Sequence, residues 1–282
     1  MTVYRSYVAI GDSLSEGLGD FEFEIKRERA GWTDRLAALL AKQAETNGHE
    51  FHYANLAIRG SKLPEIMSKQ LEAALSLMPD LVTVMAGAND LMKSYKKYPE
   101  LERQLFEGIR KLQDAGCHVL VANTLNPLHL RVFKAMATRA VVMTNLIERT
   151  AAALNAPVLD VFRIDSLKEL CFWAEDMVHF SGHGHARVAN RAAEVLELDY
   201  RHQEAAADEM TAPARGLYAT LRWVVLHVLP FFSRKIRRVS SGDGIEPKYP
   251  RLVKFVADEG DFRLLHRAEI NHAAEQCELV AA

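Results

Sequence analysis

The chain has 282 residues, of which 26% are charged and 49% are hydrophobic, a balance typical of a folded protein rather than a disordered one. This length accommodates one large domain, alone or with an appendage. The formal net charge of -2 provides no overall positive field of the kind that nucleic-acid-binding proteins use, so a small-molecule partner is favoured over nucleic acid.

Cysteine usage and hydropathy bear on two further classes. Cys117, Cys171 and Cys277 are odd in number and widely spaced, so we expect free thiols and neither a disulfide framework nor a zinc site. The longest apolar run, WVVLHVLPFF, has about half the length of a membrane-spanning helix and contains His227 and Pro230. The first residues contain too few apolar positions for the core of a signal peptide. We therefore predict a cytoplasmic location.

In chain order, predicted strands alternate with predicted helices. The apolar runs that predict strands lie at residues 7–11, 51–56, 81–87, 118–124 and 157–162. Most of them lack polar alternation, which is typical of parallel strands that are covered on both faces. Helices are predicted at residues 32–43, 62–78, 101–115, 133–154 and 182–196. This alternation predicts a three-layer α/β/α sandwich around a parallel sheet, with right-handed crossovers.

The character of the chain changes near residue 200, where polar and then mixed sequence follows the last predicted helix. We therefore predict a catalytic domain at 1–198 and a helical or irregular extension at 199–282. Within that extension, residues 215–238 combine an apolar stretch with the basic run SRKIRR. A helix docked on the catalytic domain or on a second subunit is the favoured interpretation. Peripheral contact with an anionic membrane surface is the alternative.

Polar residues follow four of the predicted strands, and the carboxyl ends of parallel strands meet at one edge of a sheet, where ligands bind. Ser13 follows the first strand, Gly60 the second and Asn89 the third. The fifth strand leads through a longer loop to Asp176 and His179. We expect these residues to lie close together.

This set of residue types meets the requirements of acyl transfer. A serine hydroxyl becomes nucleophilic when an imidazole takes its proton, and a carboxylate holds that imidazole in the correct tautomer. Asp176 and His179 are close enough in sequence for one tight turn to bring them into contact. The amides of Ser13 and Gly60 and the side chain of Asn89 are candidate donors to the oxyanion of a tetrahedral intermediate.

The blocks GDSLSEG, Gly60, GAND and DMVHFSGHGH resemble, in order and context, the four blocks of the SGNH hydrolases, also called the GDSL family, over roughly residues 7 to 197. The resemblance implies a flavodoxin-like, five-stranded parallel sheet with strand order 2-1-3-4-5. It also implies hydrolysis of a small-molecule ester or thioester without a metal or organic cofactor. The resemblance implies that Ser13 is the nucleophile, His179 the base and Asp176 the carboxylate that orients it. It also implies that Ser13, Gly60 and Asn89 form the oxyanion hole. The acyl chain, the leaving group and the oligomeric state are not specified by the sequence.

One alternative interpretation concerns metal binding. His179, His183 and His185 near Asp176 are also residue types that bind zinc, but no dedicated fourth ligand or cysteine cluster accompanies them. We favour Ser181 as the N-cap of the last helix, with His183 and His185 in its first turn.

A second alternative comes from another functional class. A flavodoxin-like sheet also binds nucleotides at this edge, so a non-catalytic flavin- or nucleotide-binding module stays open. The glycine spacing around Gly11, Gly17 and Gly19 fits neither of the common phosphate-binding loops. Among serine hydrolases, the G-x-S-x-G elbow of the α/β-hydrolases is also lacking, since Ser15 occupies its last position.

The loop at residues 19–32 mixes acidic and basic residues, which is typical of a solvated rim. Because it follows Ser13 closely in sequence, it is also a candidate substrate-contacting lid. Trp32 at its end is expected in the core.

Overall fold

In the computed structural model of the protein, the structure describes residues 2–20, 30–91, 93–127, 134–205, 210–214, 216–229, 241–257 and 264–266. The first half contains β1 (Ser6–Gly11), α1 (Ser13–Glu16), α2 (Trp32–Thr46), β2 (His52–Asn55), α3 (Leu63–Glu65), α4 (Leu71–Leu77), β3 (Leu81–Met85) and α5 (Tyr98–Asp114). The second half contains β4 (His118–Ala122), α6 (Lys134–Ala153), β5 (Val158–Leu159), α7 (Gly182–Val195), β6 (Tyr200–His202), α8 (Leu217–Trp223), β7 (Tyr249–Lys254) and β8 (Leu264–His266). The predicted three-layer sandwich is confirmed.

The central sheet has the strand order β5-β4-β3-β1-β2-β7. Its first five strands are parallel and follow the order 2-1-3-4-5 that the family resemblance implied. The sixth strand, β7, runs antiparallel to β2 and comes from the segment that we predicted to be helical or irregular. Both the strand number and that description of the extension are therefore corrected. An edge strand with Pro250, Arg251 and Lys254 lacks the apolar run of a buried strand, which explains why the sequence pattern missed it.

Each face of the sheet buries its own hydrophobic cluster. In β1, Tyr7 and Ala9 pack on one side with α2 and α7, whereas Val8 and Ile10 pack on the other with α3 to α6. Both sets are buried because helices cover both faces, as the lack of polar alternation in the strands predicted. The stripe predicted for α6 is confirmed, since its members Ala140, Met143, Ile147 and Ala151 are buried, whereas Phe133 lies outside the described residues.

A π-helical turn (Ile66–Gln70) joins α3 to α4 inside the single helix that we predicted at 62–78, and Pro64 lies in its first turn as expected. At the end of this turn, the Gln70 side chain accepts a hydrogen bond from the Gly11 amide at 2.8 Å and donates one to the Gly11 carbonyl at 2.9 Å. The turn thereby anchors the carboxyl end of β1.

β5 is shorter than the strand that we predicted at residues 157–162.

The extension contains a helix and short strands in addition to β7. α8 continues through a π-helical turn (Val224–Val228), and β6 pairs with β8 in a small antiparallel sheet.

Three features of the sequence analysis lie outside the described residues. They are the basic run at 233–238, most of the loop at 19–32 and Cys277. Cys117 and Cys171 are free thiols. No helix in the described ranges is both long and apolar enough to cross a membrane.

Candidate active site

The end of β1 delivers Ser13 to the carboxyl edge of the sheet. Asp12 caps the short helix α1, because its carboxylate accepts a hydrogen bond from the Leu14 amide at 3.1 Å. Ser13 is the first residue of that helix and is half-buried. Before it, Gly11 has no room for a side chain, since a Cβ there would lie 2.5 Å from Ser15 Oγ and 2.8 Å from the Met85 carbonyl oxygen. This close contact holds the turn against β3.

The structure brings Ser13, His179 and Asp176 into one hydrogen-bonded row. His179 Nε2 lies 2.9 Å from Ser13 Oγ, and His179 Nδ1 lies 2.5 Å from Asp176 Oδ2. An ionised carboxylate only accepts hydrogen bonds, so Nδ1 carries the ring proton and Nε2 accepts from the serine hydroxyl. This tautomer is the one in which the imidazole can remove the hydroxyl proton.

A tight turn produces the short contact between Asp176 and His179, as their spacing predicted. The other carboxylate oxygen, Asp176 Oδ1, accepts from the amides of Val178 at 2.9 Å and His179 at 3.0 Å. Met177 between them adopts a left-handed conformation, with φ of 59°. Burial by itself would raise the pKa of Asp176, but hydrogen bonds and charge from His179, with the Val178 amide, lower this pKa to about 2. The carboxylate is therefore ionised at neutral pH.

Two of the predicted oxyanion donors are backbone amides at this edge. Within the described residues, neither the Ser13 amide nor the Gly60 amide donates a hydrogen bond. Gly60 has φ of 76°, in the left-handed region that favours glycine. Both amides are therefore available to an incoming oxygen atom.

The third predicted donor, Asn89, is placed at the same edge but already has two acceptors. Its Nδ2 donates to the Ser61 carbonyl at 3.0 Å and to Asp12 Oδ2 at 3.2 Å. Because a side-chain amide has two N–H groups, an oxyanion would take the place of one of these acceptors. The interaction fixes the direction in which the amide points.

Asp12 is a site residue that our sequence reasoning left without a role. Its side chain is buried, and it contacts both α1 and Asn89. Burial raises the pKa of Asp12 to about 6, against the opposing effects of the Leu14 amide and the charge of His179. The only sequence signal was an acidic residue next to the predicted nucleophile.

Glu16 is a second residue that the sequence pattern did not single out. Its carboxylate accepts from the Arg59 amide at 2.7 Å and forms an ion pair with the Arg59 guanidinium, using Nε at 2.9 Å and Nη2. Arg59 directly precedes Gly60. The pair therefore ties the loop that carries the Gly60 amide to the helix that begins at Ser13.

The loop after α1 packs directly on His179. At Gly19, with φ of 98°, a Cβ would lie 2.3 Å from the Phe180 carbonyl oxygen and 2.9 Å from His179 Cβ. Only glycine permits both this backbone conformation and this close approach. The backbone at Gly19 thus packs closely against His179 and Phe180.

His185 lies in the first turn of α7, capped by Ser181 as predicted. Its Nε2 donates to the Leu18 carbonyl at 3.0 Å, and its Nδ1 accepts from the amide of Trp32, which is buried as expected. Burial, with the nearby Arg35, lowers the pKa of His185 to about 3, so the ring is neutral. Both nitrogens of His185 and of His179 are engaged, which disfavours the zinc interpretation. No group of three potential ligands is placed to hold a metal ion in the described part of the chain.

A serine, a histidine and a carboxylate in one hydrogen-bonded row at the edge of an α/β sandwich are the arrangement found in the class of serine hydrolases. Sequence comparison also points to a hydrolase, because the model of the GDSL-like lipase/acylhydrolase family matches residues 9–187. The chain belongs to this family, and it is a hydrolase of ester bonds. A comparison with curated proteins finds no match.

Solved structures with a similar fold include two that are named as an esterase and as a hydrolase. Axe2, an acetylxylan esterase from Geobacillus stearothermophilus, is 19% identical with a TM-score of 0.57, over 68% of this chain and 94% of its own. LAE5, an alpha/beta hydrolase enzyme from the metagenome of Lake Arreo, is 20% identical with a TM-score of 0.56, over 68% and 94%. TesA is 20% identical with a TM-score of 0.55, over 68% and 98%. At these identities the likeness concerns the fold.

Proposed function

We propose that this protein is a serine ester hydrolase that forms an acyl-enzyme at Ser13, with His179 as the general base and Asp176 as the residue that orients it. The observation that carries the proposal is the row of two hydrogen bonds, 2.9 Å from Ser13 Oγ to His179 Nε2 and 2.5 Å from His179 Nδ1 to Asp176 Oδ2. The substrate is a small-molecule carboxylic ester or thioester.

In the first half of the reaction, Ser13 Oγ attacks the acyl carbonyl while its proton passes to His179 Nε2. The carbonyl oxygen becomes an oxyanion, which the amides of Ser13 and Gly60 and the side chain of Asn89 stabilise. His179 then gives the proton to the leaving alcohol or thiol as the bond to the acyl carbon breaks. The product is an ester between the acyl group and Ser13.

In the second half, water takes the place of the leaving group. His179 Nε2 removes a proton from water as its oxygen attacks the acyl carbon, and the proton then passes to Ser13 Oγ as the acid leaves. The Asp176 carboxylate stabilises the imidazolium in both halves, and its pKa of about 2 keeps it ionised throughout. These residues supply nucleophile, base and oxyanion donors, so the steps require no metal or organic cofactor.

The loops around the serine select the acyl chain and the leaving group. Residues 21–29 lie beyond the described part, and the family includes hydrolases of more than one ester class. Acetylated sugars, lipids and acyl thioesters are therefore all substrates to test. A cytoplasmic location stays a prediction.

The experiment that tests the proposal is hydrolysis of p-nitrophenyl esters of increasing acyl length, with Ser13→Ala as the control. We expect activity that is lost in the variant and a covalent adduct at Ser13 from a fluorophosphonate probe. The control for folding is the far-UV circular dichroism of both proteins. Hydrolysis that persists in folded Ser13→Ala, or labelling of another residue, would contradict the assignment of the nucleophile.

A further inference from the structure

The C-terminal helix exposes an apolar face to solvent. Tyr218, Leu221, Val225 and Leu229 recur at spacings of three or four residues along α8 and its π-helical continuation, and they are 80%, 56%, 57% and 55% exposed. Leu226 beside them is 51% exposed. An exposed apolar patch on one helix face marks a site of interaction rather than ordinary surface.

The same helix is attached to the loop of the candidate active site. Trp223, which is half-buried, donates from Nε1 to the Asp176 carbonyl at 2.8 Å. Arg222 lies 3.6 Å from Glu175 in the same loop. α8 therefore contacts the residue that orients His179, two hydrogen bonds from Ser13.

Charge distinguishes between the occupants that an apolar face can have. Residues 215–238 contain no aspartate or glutamate, although the whole chain has a formal charge of -2. The basic residues of this segment are Arg215, Arg222, Arg234, Lys235, Arg237 and Arg238. Residues 230–240 lie outside the described part of the chain, and their charge is a property of the sequence. In the sequence, the apolar residues of α8 are followed by four closely spaced cations, and Tyr218 on the exposed face is an amphipathic aromatic. This combination matches the chemistry of an anionic lipid surface.

We propose that the exposed face of α8 docks the enzyme on an anionic lipid surface, and that the hydrolysed ester belongs to a lipid held in that surface. The substrate part of this inference rests on the proposed function of Ser13. Because α8 contacts Glu175 and Asp176, a surface bound by α8 is connected to the loop that contains His179.

The binding test uses the full chain and sedimentation with phosphatidylcholine vesicles, with and without phosphatidylserine. We expect binding to vesicles that contain phosphatidylserine, weaker binding to neutral vesicles, and loss of binding as salt is raised. The double variant Leu221→Asp/Val225→Asp should bind at least about tenfold more weakly, because two charges enter the apolar face. The matched control is Met78→Asp/Val141→Asp, at exposed apolar positions on α4's C-cap and on α6, and it should bind like the wild type.

The substrate test compares a soluble ester, p-nitrophenyl acetate, with a fluorogenic phospholipid ester carried in the same vesicles. Leu221→Asp/Val225→Asp should lose activity on the vesicle substrate by about tenfold and keep its activity on p-nitrophenyl acetate. Ser13→Ala should lose both activities and keep vesicle binding, so failure of the proposed nucleophile is distinguishable from failure of docking. Equal vesicle binding by the wild type and the α8 variant, or a concentration-dependent dimer that the α8 variant abolishes, would overturn the proposal.

Discussion

The candidate active site and the C-terminal extension differ in how their residues are held. At the sheet edge, each predicted site residue is backed by a buried or partly buried partner, such as Gln70 behind Gly11 or Glu16 behind the Gly60 loop. α8 of the extension is attached through side chains at its surface, such as Trp223, which donates to the Asp176 carbonyl. The difference teaches that buried contacts fix the residues of the candidate active site, whereas α8 combines one anchored side with an exposed apolar face.

The extension also has buried contacts with the rest of the fold, and an ion pair of Lys248 is an example. Lys248 directly precedes β7, and its Nζ lies 3.0 Å from Asp34 Oδ1 on α2. The side chains of Lys248 and Asp34 are 11% and 6% exposed. Burial raises the pKa of Asp34, while Lys248 and the Gly31 amide oppose this effect. The extension therefore contributes to stability through a contact that does not involve α8.

The largest expected effect lies in the rigid region. Asp176→Asn should lower kcat on p-nitrophenyl esters by roughly 10³- to 10⁴-fold, because the amide can hold His179 in the wrong tautomer and does not stabilise the imidazolium. KM should change little. The comparison variant is Asp165→Asn, since that side chain is 86% exposed and forms a surface ion pair with Lys168. A loss of less than about tenfold in Asp176→Asn would mean that another group orients the base.

Gly19→Ala tests whether backbone packing holds His179. The new Cβ would lie 2.3 Å from the Phe180 carbonyl oxygen in a backbone with φ of 98°, so the loop or the histidine must move. We expect kcat to fall by about 100-fold, together with a lower free energy of unfolding.

The matched variant for that prediction is Gly48→Ala. Gly48 also has positive φ, at 74°, but a Cβ there would have no atom of the described residues within 4 Å. This substitution should cost about 1 kcal/mol of stability from backbone strain alone and leave kcat unchanged. Equal losses of activity in the two variants would show that the contact with His179 is not what matters.

Lys248→Met tests how much the extension contributes to the stability of the fold. It leaves the Asp34 carboxylate buried without this partner, so the free energy of unfolding should fall by about 3 kcal/mol in urea titrations at neutral pH. Activity on a soluble ester should stay within about twofold of the wild type. Lys254→Met on β7 is the control, because its ion pair with Glu50 is exposed and screened by solvent, so its loss should have little effect on stability. A similar stability for both variants would argue against a buried anchor.

The smallest expected effect concerns Asp12 and pH. Its pKa is raised by burial to about 6 in the folded protein, above the value of an unfolded aspartate. The folded state therefore binds the proton more tightly, and this contribution to stability is present below the unfolded pKa and lost as pH rises through about 6. Asp12→Asn has no such loss. The free energy of unfolding of the variant minus that of the wild type should therefore increase by about 2 to 3 kcal/mol between pH about 4 and about 7.

The measurement is the free energy of unfolding in urea at several pH values for both proteins. Asp114→Asn provides the reference, since that side chain is 71% exposed and has little burial to lose. Its difference from the wild type should stay flat over the same range. A flat difference for Asp12→Asn as well would mean that its carboxylate is ionised in the folded state without cost.

The short-range features of this protein were predictable from its sequence. The strand order of the first five strands followed from the family resemblance, and the helices were placed to within a few residues by apolar spacing. Ser13, Gly60, Asn89, Asp176 and His179 were found because each lies where a predicted strand or loop reaches the carboxyl edge. Such features depend on neighbours in the chain, which a single sequence displays directly.

The contacts that hold those residues joined distant parts of the chain, and only the tertiary structure decided them. Glu16 meets Arg59 across 43 residues, Gln70 meets Gly11 across 59 and Lys248 meets Asp34 across 214. A local sequence pattern does not reveal such a pair, because each partner taken alone is of a type that is common in turns or at the surface. β7 was missed for the same reason, since an edge strand is defined by the neighbour it pairs with rather than by its own apolar residues. The sequence by itself determined which groups could do the chemistry, and the folded chain decided which groups hold them in place.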